Sequence, residues 1–253
     1  ELALPDGRRV RLSGEESPGD EQAALPEILR EFRMEMGLPV WRHERDGLVL
    51  EKRICLPHQQ NTVFVTYRLL QGEPVRLCIR PRLHMRAHEA DVSTPLSQGF
   101  DVTSRAGGCE IRSPDAAMPP LRLLMHGEGA AMVPDDGSTS PLFYPIEAAR
   151  GYPDTGEVWS PGHFAIDLQP GEECTLVAST EAWETLGALS PQQALAAPST
   201  HDLPTLPAYW RGADLDLRSR LDLYPSPEIA EAERHRRAAD KKQLLAAMNA
   251  GGL

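Results

Sequence analysis

The amino-acid sequence predicts a mainly β protein, built as an antiparallel β-sandwich that is followed by an extended linker and a C-terminal helix. Two observations over the first 180 residues predict strands: apolar and polar residues alternate over short stretches, and turn-forming glycine and proline pairs separate those stretches. In addition, helical patterns do not alternate with the strands, as they would in a doubly wound α/β sheet. We place the sandwich domain in residues 1–188 and the linker and helix in residues 189–253.

The composition is typical of a globular chain, with 41% hydrophobic and 25% charged residues among 253. The formal net charge of −11 argues against nucleic acid and membrane surfaces as partners, because phosphate groups bind to basic surfaces. No stretch contains the roughly 20 apolar residues of a membrane helix. The four cysteines form no CxxC pair, which predicts reduced, mostly buried thiols in a cytoplasmic protein. We expect neither a metal ion nor a cofactor.

The first predicted strands contain a tight hairpin. Residues 30–36 alternate charged and large apolar side chains, the period of a strand with one buried face. Residues 40–45 and 48–54 flank Asp46-Gly47, a dipeptide that readily adopts the positive φ angles of a two-residue hairpin turn. The sequence therefore predicts that these two strands are paired.

A second hairpin is predicted from residues 62–70 and 75–83, which flank the turn-forming residues 71–74. The second of these strands places Arg76, Arg80 and Arg82 on one face. Arginines on the polar face of a strand require anionic or polar partners.

The middle of the chain continues as strands, and its end becomes helical. Turns are predicted at Gly107-Gly108, at Asp136-Gly137 and at Pro170-Gly171. They separate strands at 99–104, 109–113, 121–126, 130–133, 163–168 and 174–179. Residues 181–186 and 191–197 are short helical candidates, and residues 198–225 form a connector with four prolines. Residues 227–250 predict a long helix, which Ser226 caps and Gly251-Gly252 end. Because this helix is polar, we expect it to pack against a partner surface.

The segment 144–164 has the composition of a carbohydrate contact. Glu147, Asp154 and Glu157 are the best local carboxylates for a reaction that needs two of them. Tyr144, Tyr152, Trp159 and Phe164 supply aromatic rings that stack on sugars, and Arg150 supplies a donor to hydroxyl groups. A structural alternative remains open, in which the segment is a proline-pinned loop and Glu147 simply pairs with Arg150.

Other motifs are weaker. His84 and His88, followed by Glu89 and Asp91, have the residue types of a metal site but lack the helix that an HExxH motif requires. Arg80, Arg82 and Arg86 either hold a polar ligand or line a sheet face against a neighbouring domain. Nucleophile elbows, phosphate-binding loops and dinucleotide fingerprints are absent from the sequence.

An ordered series of short motifs resembles a known family. The series runs through Gly37-Leu38-Pro39-Val40-Trp41, Leu50-Glu51-Lys52, Asn61-Thr62-Val63, Tyr67-Arg68, Leu77, Arg80-Pro81, Arg86, Tyr144-Pro145, Glu147, Arg150-Gly151, Asp154 and Ser160-Pro161-Gly162 with Phe164. Over residues 26–180, this series is similar to the N-terminal domain of the bacterial and archaeal type of glycogen debranching enzyme, an amylo-α-1,6-glucosidase. A looser similarity extends to Arg236-Arg237 and Leu244-Leu245 in the terminal helix.

The resemblance implies a galactose-mutarotase-like β-supersandwich that leads through a linker and helices to an (α/α)6 barrel. The general acid and base of such an enzyme belong to the barrel, which would begin just after Leu253, and the family's glycine-rich opening segment would precede Glu1. The implied partners are that barrel and an α-glucan, either glycogen or a malto-oligosaccharide. This chain alone would be catalytically inactive.

The resemblance and the composition together select a set of sugar-contacting residues: Arg86, His88, Glu147, Arg150, Asp154 and Trp159. One departure affects this set, because the family usually carries an Arg-Asp-aromatic-His run where this chain has Arg86-Ala87-His88-Glu89.

Two other functions stay open. The first is a self-sufficient mutarotase-like carbohydrate enzyme, in which His88, His163 and Glu147 would supply the acid and base. The second is a carbohydrate-binding or interface module without catalysis.

Overall fold

The computed structural model describes residues 1–12, 28–35, 37–57, 60–188, 212, 215–216, 219 and 227–250. Two antiparallel sheets make up the architecture, one with strand order β11-β12-β7-β1-β2 and one with order β3-β4-β5-β6-β13-β10-β9-β8. The strands are β1 (Leu2–Ala3), β2 (Arg9–Val10), β3 (Leu29–Glu35), β4 (Leu38–Arg45), β5 (Leu48–Cys55), β6 (Thr62–Gln71), β7 (Val75–Ile79), β8 (Asp101–Arg105), β9 (Gly108–Arg112), β10 (Leu121–His126), β11 (Ala131–Phe143), β12 (Thr155–Leu168) and β13 (Glu173–Ser179). The predicted mainly β, antiparallel sandwich is confirmed.

The hydrophobic core lies between the two sheets. Phe164 and Leu77 reach it from the five-stranded sheet, and Leu50 and Leu69 reach it from the eight-stranded sheet, all of them without measurable exposure. Because successive residues of a strand point to opposite faces, each of these strands contributes alternate side chains to the same core. Burial of such side chains supplies most of the stability of a sandwich of this kind.

The hairpin predicted at Asp46-Gly47 is confirmed. β4 and β5 pair antiparallel from Arg45 opposite Leu48 onwards. Asp46 has φ 50° and Gly47 has φ 82°, so both turn residues occupy the left-handed region that a two-residue hairpin of this twist requires.

The second predicted hairpin is wrong. β6 pairs with β5 and β13 in the eight-stranded sheet, whereas β7 pairs with β12 and β1 in the five-stranded sheet. The turn at residues 71–74 therefore carries the chain from one sheet to the other. A turn signal predicts that the chain reverses, but it contains no information about which strand becomes the partner.

β11 and β12 are longer than predicted, because the sheet tolerates residues that we interpreted as breaks. The predicted turn at Asp136-Gly137 is wrong, since it is an irregularity within β11 between Pro134 and Ser138. A bulge of this kind adds residues to one strand without ending its pairing. The proposed loop over residues 144–164 is likewise a short helix followed by most of β12.

Three helices have described bounds: α1 (Pro145–Arg150), α2 (Trp183–Ala188) and α3 (Pro227–Ala250). α2 lies close to the predicted 181–186, and its Leu186 packs with Phe64 and Val177 on the outer face of the eight-stranded sheet. α3 confirms the predicted long helix. The predictions for residues 191–197, Ser226 and 251–252 concern positions outside the described residues. Of the predicted connector 198–225, only residues 212, 215–216 and 219 are described, and 215, 216 and 219 are helical, so the connector is not extended throughout. None of the helices in the described part of the chain has both the length and the apolar character needed to cross a membrane.

The cysteines are free thiols, as predicted, and three of the four are buried. Burial raises the pKa of the Cys55 and Cys109 thiols to about 11 and that of Cys174 to about 12. These three thiols are therefore protonated and unreactive near neutral pH. Cys78 is half-buried on β7.

Candidate functional site at the α1 end of the sandwich

The predicted sugar-contacting segment lies at one end of the five-stranded sheet, where β11 ends at Phe143 and β12 begins at Thr155. We call this region the α1 end; it consists of Tyr144, α1, residues 151–154 and the neighbouring residues 84–92. The Tyr144 N–H donates to the carbonyl oxygen of Asp154 over 2.7 Å, which closes the connection between the two strands. Asp154 and α1 are thereby fixed against the edge of the sandwich.

α1 is short, and its two ends follow from local sequence. Pro145 suits the first helical position because that position needs no N–H donor. Gly151 ends the helix in the left-handed conformation, at φ 76°, and its N–H donates to the Ala148 carbonyl. Glu147 and Arg150 therefore stand three residues apart on one helical turn, on the same face.

Residues 84–92 bring Arg86 and His88 toward the same end. Leu83 pairs with Trp159 through two backbone hydrogen bonds of 2.8 and 2.9 Å. Beyond this bridge the chain leads to the beginning of β12, where the Val92 carbonyl lies directly against Gly156. A Cβ atom at position 156 would overlap that carbonyl oxygen, so only glycine permits this approach. The Arg86 side chain donates to the Ala90 carbonyl over 2.9 Å and thereby holds the loop.

The charges at the α1 end are largely compensated and accessible to solvent. The Arg150 guanidinium lies 3.5 Å from the Glu147 carboxylate, with exposed side-chain fractions of 62% and 30%. Asp154 accepts a hydrogen bond from the Thr155 hydroxyl. Tyr152 is largely exposed beside them. Such an open surface of donors, acceptors and an aromatic ring suits a neutral, hydroxyl-rich ligand.

The ion pair that we considered as a structural alternative for Glu147 and Arg150 is present. The loop that was expected to contain it is absent, since both residues belong to α1. Glu157, the third candidate carboxylate, is exposed on β12 and pairs through its backbone with Pro141.

Glu147, Arg150 and Asp154 therefore share one end of the sandwich, and the loop that carries Arg86 and His88 reaches the same end at Val92. Trp159 lies further along β12. The Trp159 ring stacks on Phe100 with centroids 4.6 Å apart and packs at the margin of the core. It also closes over Gly137, where an added Cβ would come within 2.5 Å of the indole Nε1. The sugar-contacting role of all six side chains stays a prediction.

His84 is a half-buried group next to this region. Both of its ring nitrogens are buried and lack a hydrogen-bond partner among the described residues. Burial and then the neighbouring Arg86 charge lower the pKa of His84 below its usual value, which keeps the ring neutral near pH 7. Within the described ranges, no three His, Cys, Asp or Glu side chains converge as metal ligands would.

Sequence reasoning missed Val92 and Gly156, which position the loop. The only local signal at Gly156 is a glycine at the start of a strand pattern, which also marks ordinary turns. Its contact with Val92 is set by the tertiary fold.

The fold defines the class of the protein: it is a β-sandwich domain with two facing antiparallel sheets and an open polar surface at one end. The family model for the glycogen debranching enzyme N-terminal domain matches residues 1–175, well over half of the chain. The chain belongs to this family. The motif resemblance over residues 26–180 is thus confirmed, and the match begins further upstream, at residue 1.

Proposed function

We propose that this chain is the non-catalytic N-terminal domain of a glycogen debranching enzyme of the amylo-α-1,6-glucosidase type. In this proposal, residues 1–188 form the sandwich domain, and residues 189–253 lead to a C-terminal (α/α)6 catalytic barrel on which the domain packs. The α1 end helps to shape the α-glucan site, and glycogen or a malto-oligosaccharide is the ligand. The single observation that carries the proposal is the family match over residues 1–175.

The chemistry of the α1 end supports glucan contact. Hydroxyl groups of a glucan can accept hydrogen bonds from Arg86 and Arg150 and donate to Glu147 and Asp154. The exposed face of Tyr152 can stack on a pyranose ring. Trp159 contributes from its position along β12 if the bound glucan extends that far.

Catalysis belongs to the barrel in this proposal, because the α1 end lacks the features of a glycosidase pair. Hydrolysis requires one carboxylic acid that is protonated at working pH and a second carboxylate across the scissile bond. At the α1 end, Glu147 instead pairs with the Arg150 guanidinium, 3.5 Å away on the same helical turn, and not with a second carboxylate. A cytoplasmic location is part of the proposal, since the four free thiols suit a reducing compartment.

The self-sufficient mutarotase-like enzyme is disfavoured by the position of His163. This residue lies eight positions along β12 from Thr155, roughly 25 Å at the rise of an extended strand. Glu147 lies close to the Thr155 end of the same strand. Proton transfer requires hydrogen-bond reach or one bridging water, so Glu147 and His163 cannot act on one substrate atom.

The proposal is tested by measuring activity and glucan binding separately. The purified chain should release no glucose from an α-1,6-branched limit dextrin, whereas calorimetry should detect malto-oligosaccharide binding. A Glu147→Gln variant should weaken that binding about tenfold, the effect of losing one charge-assisted hydrogen bond. An Arg76→Gln variant is the matched control, because Arg76 pairs with Asp167 on the outer surface away from α1. Hydrolysis by the chain alone that Glu147→Gln abolishes would contradict the proposal.

A further inference from the structure

A cavity of about 460 Å³ opens on the described part of the chain away from the α1 end. Its inner wall contains Lys52 and Tyr67 from the eight-stranded sheet and Leu77 and Ile79 from the five-stranded sheet. The cavity therefore enters the space between the two sheets beside β7. Its volume lies within the range of pockets that bind small molecules.

The described part of this cavity wall is strongly cationic, although the chain has a net charge of −11. Among the described residues that line it, five side chains are cationic and one is a carboxylate. They are Arg9, Arg11, Lys52, Arg80 and Arg82, with Glu1 as the carboxylate. We call this region the cationic cavity. Like charges gathered in a concave, low-dielectric wall focus their field on an anion that enters.

Arg80 and Arg9 have carboxylate partners at the rim. Arg80 lies 2.6 Å from Asp135, and Arg9 lies 3.4 Å from Glu1. Both contacts involve well-exposed arginines and surround the opening. Exposed ion pairs of this kind are weak, so a bound anion can compete for either arginine.

Lys52 is the cation that reaches furthest into the sandwich. Its register opposite Tyr67 places both side chains on the face that points toward the other sheet. Burial lowers the pKa of the Lys52 ammonium, and no described carboxylate opposes this shift. A desolvated cation without a counter-charge gains the most from an anionic ligand, because the ligand replaces the lost hydration.

An aromatic surface adjoins the same lysine. Trp41 lies opposite Lys52 on the neighbouring strand, and the Lys52 Nζ is 5.0 Å from the centre of the Trp41 ring. Phe32 packs against Trp41 with ring centroids 5.3 Å apart and is itself 57% exposed. The rings of Trp41 and Phe32 therefore adjoin Lys52 just outside the residues that line the cationic cavity, where an exposed aromatic surface can contact a sugar.

We infer that the cationic cavity binds a small phosphorylated sugar, with the phosphate held by Lys52, Arg11 and the rim arginines and the sugar directed toward Trp41. This binding site is separate from the α1 end and does not depend on the proposed function. Tyr67 also lines the cavity, beside Lys52.

The test is isothermal calorimetry on the full chain with four ligands: glucose 6-phosphate, glucose 1-phosphate, glucose and inorganic phosphate. At least one sugar phosphate should bind more tightly than both glucose and inorganic phosphate, and its affinity should fall as salt is raised. Lys52→Met and Arg11→Gln should each weaken this binding roughly tenfold or more, the effect of losing one charged donor. Arg76→Gln removes the same charge from the outer face of β7 and should change the affinity less than about twofold.

Several outcomes would overturn the inference. If inorganic phosphate bound as tightly as both sugar phosphates, the cavity would be a simple anion site. If glucose bound as tightly as the sugar phosphates, the cationic side chains would have no role in binding. Binding that is absent, or that survives both Lys52→Met and Arg11→Gln, would exclude this cavity. Arg11 is exposed, so Arg11→Gln keeps the test decisive even if Lys52→Met alters folding.

Discussion

The α1 end and the cationic cavity use similar residue types but differ in how their charges are compensated. At the α1 end, Arg150 pairs with Glu147 and Arg86 donates to a backbone carbonyl. In the cationic cavity, five cationic side chains face one carboxylate among the described wall residues. A surface with paired charges favours a neutral, hydroxylated ligand, whereas a wall on which cationic side chains outnumber carboxylates favours an anion.

The two regions also differ in depth. The α1 end is an exposed surface on a short helix, whereas the cationic cavity enters the core between the sheets. Substitutions of exposed side chains at the α1 end should therefore change ligand binding with little effect on stability. Mutations close to the core should change both ligand binding and the free energy of unfolding. The size of the change in the free energy of unfolding therefore distinguishes the two regions experimentally.

The largest effect is expected from Phe164→Ala, because this side chain is fully buried on β12 and pairs with Ile79 of the cavity wall. Truncating a buried phenylalanine should lower the free energy of unfolding by about 3–5 kcal/mol, measured by urea denaturation. Tyr152→Ala, at an exposed ring of the α1 end, should change it by less than about 0.5 kcal/mol. Similar losses in the two variants would contradict the difference in depth.

Gly156→Ala should damage the α1 end selectively. The added methyl group would overlap the Val92 carbonyl, so the loop that carries Arg86 and His88 must move. We expect a loss of about 1–3 kcal/mol in the free energy of unfolding, typical of overpacking, together with weaker malto-oligosaccharide binding. Sugar phosphate binding at the cationic cavity should persist in calorimetry.

The control for this variant is Thr155→Ala, which changes the exposed neighbour without adding volume. If Gly156→Ala left both stability and glucan binding unchanged, the loop would not be positioned by this contact.

Acid should destabilise the protein through His43, which is buried, and His84, which is half-buried. Burial lowers the pKa of His43, which lies near Leu12 of the cavity wall, and of His84, which lies beside the α1 end. Below about pH 6.5 the unfolded chain binds protons that the folded chain excludes, so the free energy of unfolding falls with pH. Each histidine can contribute at most about 1.4 kcal/mol per pH unit.

Urea denaturation at pH 7.5, 6.5 and 5.5 measures this slope. His43→Gln and His84→Gln should each reduce this slope. The variant with the larger reduction shows which region is more sensitive to acid. Thr155→Ala is the control, because it changes an exposed side chain that carries no ionisable group and should leave the slope unchanged. An unchanged slope in both glutamine variants would disprove the assignment.

The smallest effect on stability is expected from Glu147→Gln. The Glu147–Arg150 pair is exposed and 3.5 Å long, so its loss should cost less than about 0.5 kcal/mol by urea denaturation. Arg150→Gln should have a matching effect. A loss above 1 kcal/mol in either variant would show that the pair is structural, and would weaken its proposed role in glucan contact.

The sequence was most informative where structure depends on neighbouring residues. Asp46-Gly47 predicts the β4–β5 hairpin because the turn conformation is a local property of that dipeptide. The alternation in residues 30–36 likewise predicts β3 nearly to its bounds. The α1 residues were recognised as candidates from composition and from the family motifs, although their helix was not.

The features that the sequence did not predict depend on contacts between residues that are distant in the chain. The turn at 71–74 looks like a hairpin, but the partners of β6 and β7 are set by which core each strand completes. Pro134 and Gly137 look like breaks, yet pairing with β12 keeps them within one strand. Lys52 and Tyr67 are 15 positions apart in sequence and meet only through the register of β5 and β6. The cationic cavity was therefore invisible before the strands were paired.

The length of β12 has a consequence for how this domain tolerates insertions and deletions. The strand runs for 14 residues and is paired with β11 or β7 along its course. One residue gained or lost within it would turn every following side chain to the opposite face, moving Phe164 out of the core. Insertions and deletions should therefore be tolerated in the connections before and after β12 and not within the strand. The distance between the α1 end and the opening of the cationic cavity beside β7 should then stay the same.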